Sequence, residues 1–117
     1  MSDITRFQSG PKLSRAVVHN GIVYLCGQVA KDYSDDIKGQ TRTMLERVDE
    51  HLAEAGSDKT RMLSATLYIK DIQEAPLMNE VWGEWLGDAP RPARTCVQAE
   101  MAKPDILVEI TVTAACA

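Results

Sequence analysis

Two stretches near the C-terminus decide the fold: Pro92-Ala93-Arg94-Thr95-Cys96-Val97 and Ile106-Leu107-Val108-Glu109-Ile110-Thr111-Val112. β-Branched and apolar residues dominate both stretches, and a connection that contains a proline separates them, so we predict two β-strands. In the second stretch every other residue from Ile106 onwards is apolar and shares one face, whereas Glu109 falls on the other face. Each predicted strand therefore carries one charge in its interior.

These two interior charges, Arg94 and Glu109, have two explanations that the residues alone leave open. Opposite charges often pair across neighbouring antiparallel strands, or lie on a solvated sheet face. Alternatively, the two residues form a site for a small anionic substrate. The Arg94 guanidinium would then bind a carboxylate through two parallel donors, and Glu109 would handle a proton or a water. Arg94 shares its predicted face with Cys96, opposite Thr95 and Val97.

The bulk properties limit the class of protein. At 117 residues, with ordinary apolar and charged fractions, we expect one globular domain over residues 1–117. The formal net charge of −4 argues against a nucleic-acid partner. No apolar run approaches the roughly 20 residues that span a bilayer, and the N-terminus lacks the apolar core of a signal peptide, so we expect no membrane partner.

The cysteines and histidines give no sign of a metal site. The three cysteines, Cys26, Cys96 and Cys116, are an odd number without metal-type spacing, and the two histidines stand apart from them. This usage fits free thiols in a reducing compartment, which predicts a cytoplasmic protein.

Working back from the C-terminus, a hairpin is predicted near the start of the chain. The first dozen residues are polar, with a turn at Gly10-Pro11. Asn20-Gly21 then separates two extended runs, at about 14–19 and 22–29. Both central residues of a type I′ turn need positive φ, which this dipeptide supplies.

An amphipathic helix is predicted over residues 37–55, because apolar residues recur there at three- and four-residue spacing. Asp35 or Asp36 is placed to cap its N-terminus, and Gly56 to end it. A strand follows at about 62–70.

A second helix is predicted at about 73–85, with Pro76 in its first turn. The element order is then ββαβαββ, which predicts an α+β fold: a two-layer sandwich in which two helices cover one face of a mixed sheet. The other face would carry the residues that periodicity does not place, which are Tyr24, Cys26, Arg94, Cys96 and Glu109. Such a face on a small domain tends to be buried by a partner.

The motif at 92–97, followed by Glu109 in an Ile-x-Val-Glu-Ile strand, resembles the signature of the Rid family, the reactive intermediate deaminases, also called the YjgF family. The resemblance extends through residues 20–28, 39–56 and 65–71, in the order and spacing of that family. It implies a chorismate-mutase-like fold and a homotrimer, with the sheets packed into a central barrel and a site in each cleft between subunits. We expect a residue from the N-terminal loop or second helix of one chain to face Arg94 of the next.

The resemblance also implies roles for four residues. Arg94 matches the arginine that binds the substrate carboxylate, and Glu109 matches the acidic residue that holds the hydrolytic water. Gly27 matches a glycine whose backbone lies against the ligand, and Cys96 a cysteine whose backbone N–H meets it. Each has a structural alternative: an Arg94–Glu109 ion pair, a strand-end glycine at Gly27, and a small buried apolar side chain at Cys96.

The implied reaction is hydrolysis of 2-imino or 2-aminoacrylate-type acids to 2-keto acids and ammonia, with no metal or cofactor. A trimer that binds 2-keto acids without turnover is the main alternative. Some family members are described as RNases or translation inhibitors, a role that the acidic balance disfavours here. A thiol-reactive role through Cys26, Cys96 or Cys116 would depend on their exposure.

This chain departs from the family pattern at three places. The tyrosine that reaches the ligand in well-known deaminase members is missing, because Lys12-Leu13-Ser14 follows Gly10-Pro11. Cys26 replaces a frequent serine, and Thr95 a smaller residue. The departures leave the size of the substrate open.

Overall fold

The computed structural model describes residues 3–117 and contains one sheet with two α-helices. The strands are β1 (Thr5–Phe7), β2 (Ala16–His19), β3 (Ile22–Leu25), β4 (Gln28–Val29), β5 (Met62–Ile69), β6 (Ala93–Gln98) and β7 (Val108–Ala115). The α-helices are α1 (Ile37–Glu54) and α2 (Ala75–Leu86), and short 3₁₀ turns lie at Lys59–Arg61 and Ile72–Glu74.

The seven strands form a mixed sheet in the order β1-β2-β3-β7-β5-β6, and β4 pairs with β7 beside β3. Only β5 and β6 are parallel within the described chain. Helices α1 and α2 pack on one face over a single apolar cluster. The predicted α+β sandwich with two helices on a mixed sheet is therefore confirmed.

Local signals placed the hairpin and the first helix correctly. Asn20 and Gly21 have φ angles of 51° and 77°, as the type I′ turn requires. Asp36, rather than Asp35, caps α1, since its Oδ1 accepts from the Gly39 N–H at 2.9 Å. Gly56 follows α1 with φ of 80°.

Other boundaries were wrong. The sequence did not predict β1, which pairs with β2. The run predicted at 22–29 is interrupted at Cys26-Gly27, which separates β3 from β4. The second helix begins at Ala75, after the 3₁₀ turn at Ile72–Glu74, and Pro76 lies in its first turn as predicted.

The prediction that Arg94 and Cys96 lie on the face away from the helices was also wrong. Residues of β7 alternate between buried and half-buried, so Val108 and Ile110 face the helices. In the register between β5 and β6, Arg94 lies beside the buried Ala65, and Cys96 beside the buried Leu67. Arg94 and Cys96 therefore lie on the helix side.

We call the uncovered side of the sheet the open face. Glu109 and Thr113 of β7 lie on it, and Tyr24 is the register partner of Thr113. The prediction of this face is confirmed for Tyr24 and Glu109. Within residues 3–117, neither helix is long and apolar enough to cross a membrane.

Candidate functional site

Arg94 is held by two side chains of α2. Its Nη1 donates to Oδ1 of Asn79 at 2.8 Å, and its guanidinium carbon lies 5.3 Å from the centre of the Trp82 ring. Asn79 and Trp82 are three residues apart on the helix, so both side chains reach the same face. Both partners are neutral. Arg94 is thus oriented without losing its positive charge, and its side chain is exposed.

Glu109 lies in the interior of β7, where its carboxylate contacts Gly27. A Cβ at position 27 would be 2.0 Å from Oε2 of Glu109, far closer than non-bonded atoms approach. Residue 27 must therefore lack a side chain for the carboxylate to occupy this position. The structure brings Gly27 and Glu109 together, as two of the four residues expected in the site.

Arg94 and Glu109 do not form an ion pair within the protomer. They lie on opposite faces of the sheet, and β5 separates their strands. The ion pairs of the described chain join other residues: Lys31–Glu46, Lys31–Glu50 and Lys38–Glu80. The structural explanation of these two charges as partners across neighbouring strands is therefore wrong.

The cysteines take part in packing. Cys96 is half-buried against the apolar cluster on the helix side, which agrees with the alternative of a small buried side chain. Cys26 lies in the break between β3 and β4, where its Sγ is 3.3 Å from Nε2 of Gln28. All three cysteines, including Cys116, are free and half-buried.

Neither Arg94 nor Glu109 lines any of three grooves on the described chain. Grooves of about 540, 250 and 240 Å³ lie at the β6–β7 connection, between α1 and α2, and in the loop between β1 and β2. Arg94, Gly27 and Glu109 line none of the three. Because Arg94 and Glu109 also lie on opposite faces of the sheet, a small molecule cannot contact both within one chain.

Sequence reasoning missed Asn79 and Trp82 as partners of Arg94. Their three-residue spacing on a predicted helix was visible, and it places an amide and an indole side by side. The sequence does not show which strand packs against this face of α2, because that depends on the β5–β6 register.

Comparison with known proteins places the chain in a family. A family model described as Endoribonuclease L-PSP matches residues 4–116. A RutC family protein of Haemophilus ducreyi is 38% identical over 112 residues, which cover 96% of each chain. The RutC family protein YoaB of Escherichia coli is 33% identical over 112 residues, covering 96% of this chain and 97% of YoaB.

Solved structures agree with the sequence relatives. A member of the YjgF protein family from Neisseria meningitidis superposes with a TM-score of 0.95 at 39% identity, over 98% of this chain and 96% of that one. A member of the YjgF/YER057c/UK114 family from Mycobacterium tuberculosis gives a TM-score of 0.88 at 29% identity, over 97% and 99% of the two chains. The chain belongs to this family, whose members carry the names YjgF, RutC and Rid.

Proposed function

We propose that this protein hydrolyses 2-imino acids and their enamine tautomers to 2-keto acids and ammonia. The observation that carries the proposal is that two opposite charges are held in place without neutralising each other. Arg94 is oriented by the neutral Asn79 and Trp82, and Glu109 is seated against Gly27. The ordered, unpaired guanidinium can bind the carboxylate of a small anionic substrate. The ordered, unpaired carboxylate can position a water.

Arg94 binds the substrate carboxylate in this proposal. A guanidinium presents parallel donors to both carboxylate oxygens and stays charged at every working pH. One of its nitrogens already donates to Asn79, which fixes the plane of the guanidinium and leaves other N–H groups for the ligand. Trp82 packs against the guanidinium and limits its motion.

Glu109 positions the water that attacks C2 of the imine. The carboxylate accepts a hydrogen bond from this water and takes one proton as the new C–O bond forms. Glu109 passes this proton to the imine nitrogen, which gives a carbinolamine. A second proton then moves from the new hydroxyl group through Glu109 to the nitrogen, the C–N bond breaks, and ammonia leaves as the C2 carbonyl forms. Water is the only co-reactant. Imines of this type already hydrolyse in water, so orientation supplies much of the rate.

The site is completed between two protomers in this proposal. Arg94 lies on the last strand of the sheet, on its helix side, and Glu109 lies on the open face two strands away. A small molecule cannot contact both within one protomer. The open face also exposes Tyr24 and Val97, at 47% and 41%, beside the hydroxyl side chains of β5 and β7. A homotrimer packed through this face would bury both residues and bring Glu109 of one protomer toward Arg94 of the next.

A coupled assay tests the proposal. A threonine or serine dehydratase generates the imine, semicarbazide traps what remains, and this protein competes with the trap. We expect less trapped adduct with the wild type and with Arg42→Ala, an exposed control on α1, but not with Arg94→Ala or Glu109→Gln. Equal trapping with and without the wild-type protein, together with no hydrolysis of 2-imino acids that carry longer side chains, would contradict the activity.

The same groups would serve a protein that binds 2-keto acids without turnover. Binding of 2-oxobutanoate that is lost in Arg94→Ala, combined with no effect of the wild type on trapping, would favour that second function. Binding can be measured by calorimetry on the wild type and the two variants.

A further inference from the structure

The loop between β1 and β2 forms a small groove of its own, which we call the N-terminal groove. Its volume is about 240 Å³, and it is lined by Gln8, Gly10, Pro11, Lys12, Leu13 and Arg15. The Gly10 N–H donates to the Leu13 carbonyl at 2.8 Å, which closes the loop on itself. The groove is therefore formed within one protomer, before any partner binds.

The charge of the N-terminal groove is positive. Lys12 and Arg15 are both exposed, and within residues 3–117 the side chain of neither makes an ion pair or a hydrogen bond. No carboxylate lines the groove. Glu54 contacts one lining residue from outside the groove, since its Oε2 accepts from Nε2 of Gln8 at 2.8 Å. Two free cations among its lining residues, on a chain of net charge −4, give this groove a local positive potential that attracts anions.

The N-terminal groove lies next to the Glu109 part of the candidate site. The Arg15 N–H donates to the Phe7 carbonyl at 3.0 Å, and the Arg15 carbonyl accepts from the Cys26 N–H at 2.9 Å. Cys26 directly precedes Gly27, against which the Glu109 carboxylate lies. The backbone of Arg15 is thus hydrogen-bonded to Cys26, the residue directly before Gly27.

We propose that the substrate is a dicarboxylic 2-imino acid, whose second carboxylate binds Lys12 and Arg15. This inference rests on the proposed function. The carboxylate beside the imine binds Arg94, Glu109 holds the water at C2, and the side chain of the substrate extends past Cys26 toward Arg15. A substrate with a neutral side chain leaves both cations without a partner, whereas a terminal carboxylate pairs with them.

The experiment measures binding of two matched keto acids by calorimetry. 2-Oxoglutarate and 2-oxopentanoate have the same chain length and differ in the terminal carboxylate. We expect the wild type to bind 2-oxoglutarate about ten-fold more tightly, and Lys12→Gln/Arg15→Gln to lose that preference. The matched control, Lys38→Gln/Arg42→Gln, removes the same charges from α1, including one exposed ion pair, and should keep the preference.

Three results would overturn the inference: equal affinity of the wild type for the two keto acids, no binding of either, or a preference that survives in Lys12→Gln/Arg15→Gln. Hydrolysis of the imines of glutamate and norvaline, measured separately, keeps the two proposals apart. A binding preference without hydrolysis supports the N-terminal groove and contradicts the deaminase. Hydrolysis without a binding preference supports the deaminase and contradicts the role of the N-terminal groove.

Discussion

At Gly27 the absence of a side chain decides where the Glu109 carboxylate lies. Gly27→Ala would place a Cβ 2.0 Å from Oε2, so the carboxylate must rotate away. Because the displaced atom ends a flexible side chain, we expect a loss of about 1 kcal/mol or less in the free energy of unfolding. Imine hydrolysis should fall at least ten-fold.

The matched control is Gly83→Ala, since a Cβ at that helical position meets nothing within 4 Å. It should raise the free energy of unfolding by about 0.5–1 kcal/mol. Turnover and thermal unfolding of both variants give the comparison. Wild-type turnover in Gly27→Ala would show that the position of the carboxylate does not matter.

Asn79 offers a second prediction at this scale, because it binds Arg94 without neutralising it. Asn79→Asp would place a carboxylate against the guanidinium and compete with the carboxylate of the substrate. We expect KM to rise at least five-fold, and more than in Asn79→Ala, which only frees Arg94. Steady-state kinetics of both variants test this, and a lower KM in Asn79→Asp than in Asn79→Ala would contradict it.

The sequence predicted which residues share a face of their strand better than which side of the sheet that face is. Alternation correctly placed Arg94 and Cys96 on one face of their strand. Which face of the sheet this is depends on the parallel register that sets Arg94 beside Ala65, and that register comes from contacts distant in sequence. The contact of Gly27 with Glu109 likewise required the pairing of β4 with β7.

At the scale of elements, Gln40 joins α1 to two connections. Its buried Nε2 lies 2.9–3.1 Å from the carbonyls of Tyr33, Asp35 and Asp105, and its Oε1 accepts from the Leu107 N–H at 2.9 Å. Gln40→Met keeps the size and removes these bonds. We expect a loss of about 2–4 kcal/mol in the free energy of unfolding, because buried polar groups stay unpaired.

Gln98→Met is the control for this substitution, since exposed Gln98 makes a single hydrogen bond, from the Ile72 N–H at 2.9 Å. It should cost about 1 kcal/mol or less. Urea unfolding of both variants measures the difference. Equal urea midpoints for Gln40→Met and Gln98→Met would mean that water replaces the hydrogen bonds of Gln40.

Elements whose capping residues and apolar periodicity lie within their own sequence were predicted, and strand β1, which has neither, was not. Helix α1 has a cap at Asp36, an apolar stripe and a terminal glycine, all within its own sequence. Strand β1 has three residues, two of them exposed, and is a strand because it pairs with β2. No periodicity can appear in so short a segment.

Asp58 gives a prediction on pH. The Thr60 hydroxyl and the Thr60 N–H, in that order of importance, lower the pKa of Asp58 from its ordinary value of 3.8, and Arg61 adds to this. A depressed pKa stabilises the folded state above pH 3.8, and the contribution disappears as the pH falls through the folded-state pKa.

The variant Asp58→Asn tests this, because it keeps the acceptor oxygen without the charge. The Tm of the wild type should exceed that of the variant at pH 7, and the gap should narrow as the pH falls below 3.8. A gap that is constant with pH would contradict this.

At the scale of the whole molecule, the architecture places the two charges of the proposed site on opposite faces of the sheet. The helices bury one face of the sheet, and a single apolar cluster stabilises the fold from that side. The open face contributes Glu109, and the helix side contributes Arg94 at the far edge strand. In the proposed trimer, closed symmetry would bring these two different surfaces together, because each protomer would present one to each neighbour.

Mixing two inactive variants tests this arrangement. If each site takes Arg94 from one protomer and Glu109 from the next, a mixed trimer contains some sites in which both residues are wild type. Each mixed trimer of Arg94→Ala and Glu109→Gln chains has one such site among its three, so isolated mixed trimers should show about a third of the wild-type activity. The variants are co-expressed with different affinity tags, and mixed trimers are isolated by both. A site built within one protomer would give no recovery, because each chain carries one defect. Homotrimers of each variant, purified alone, set the background.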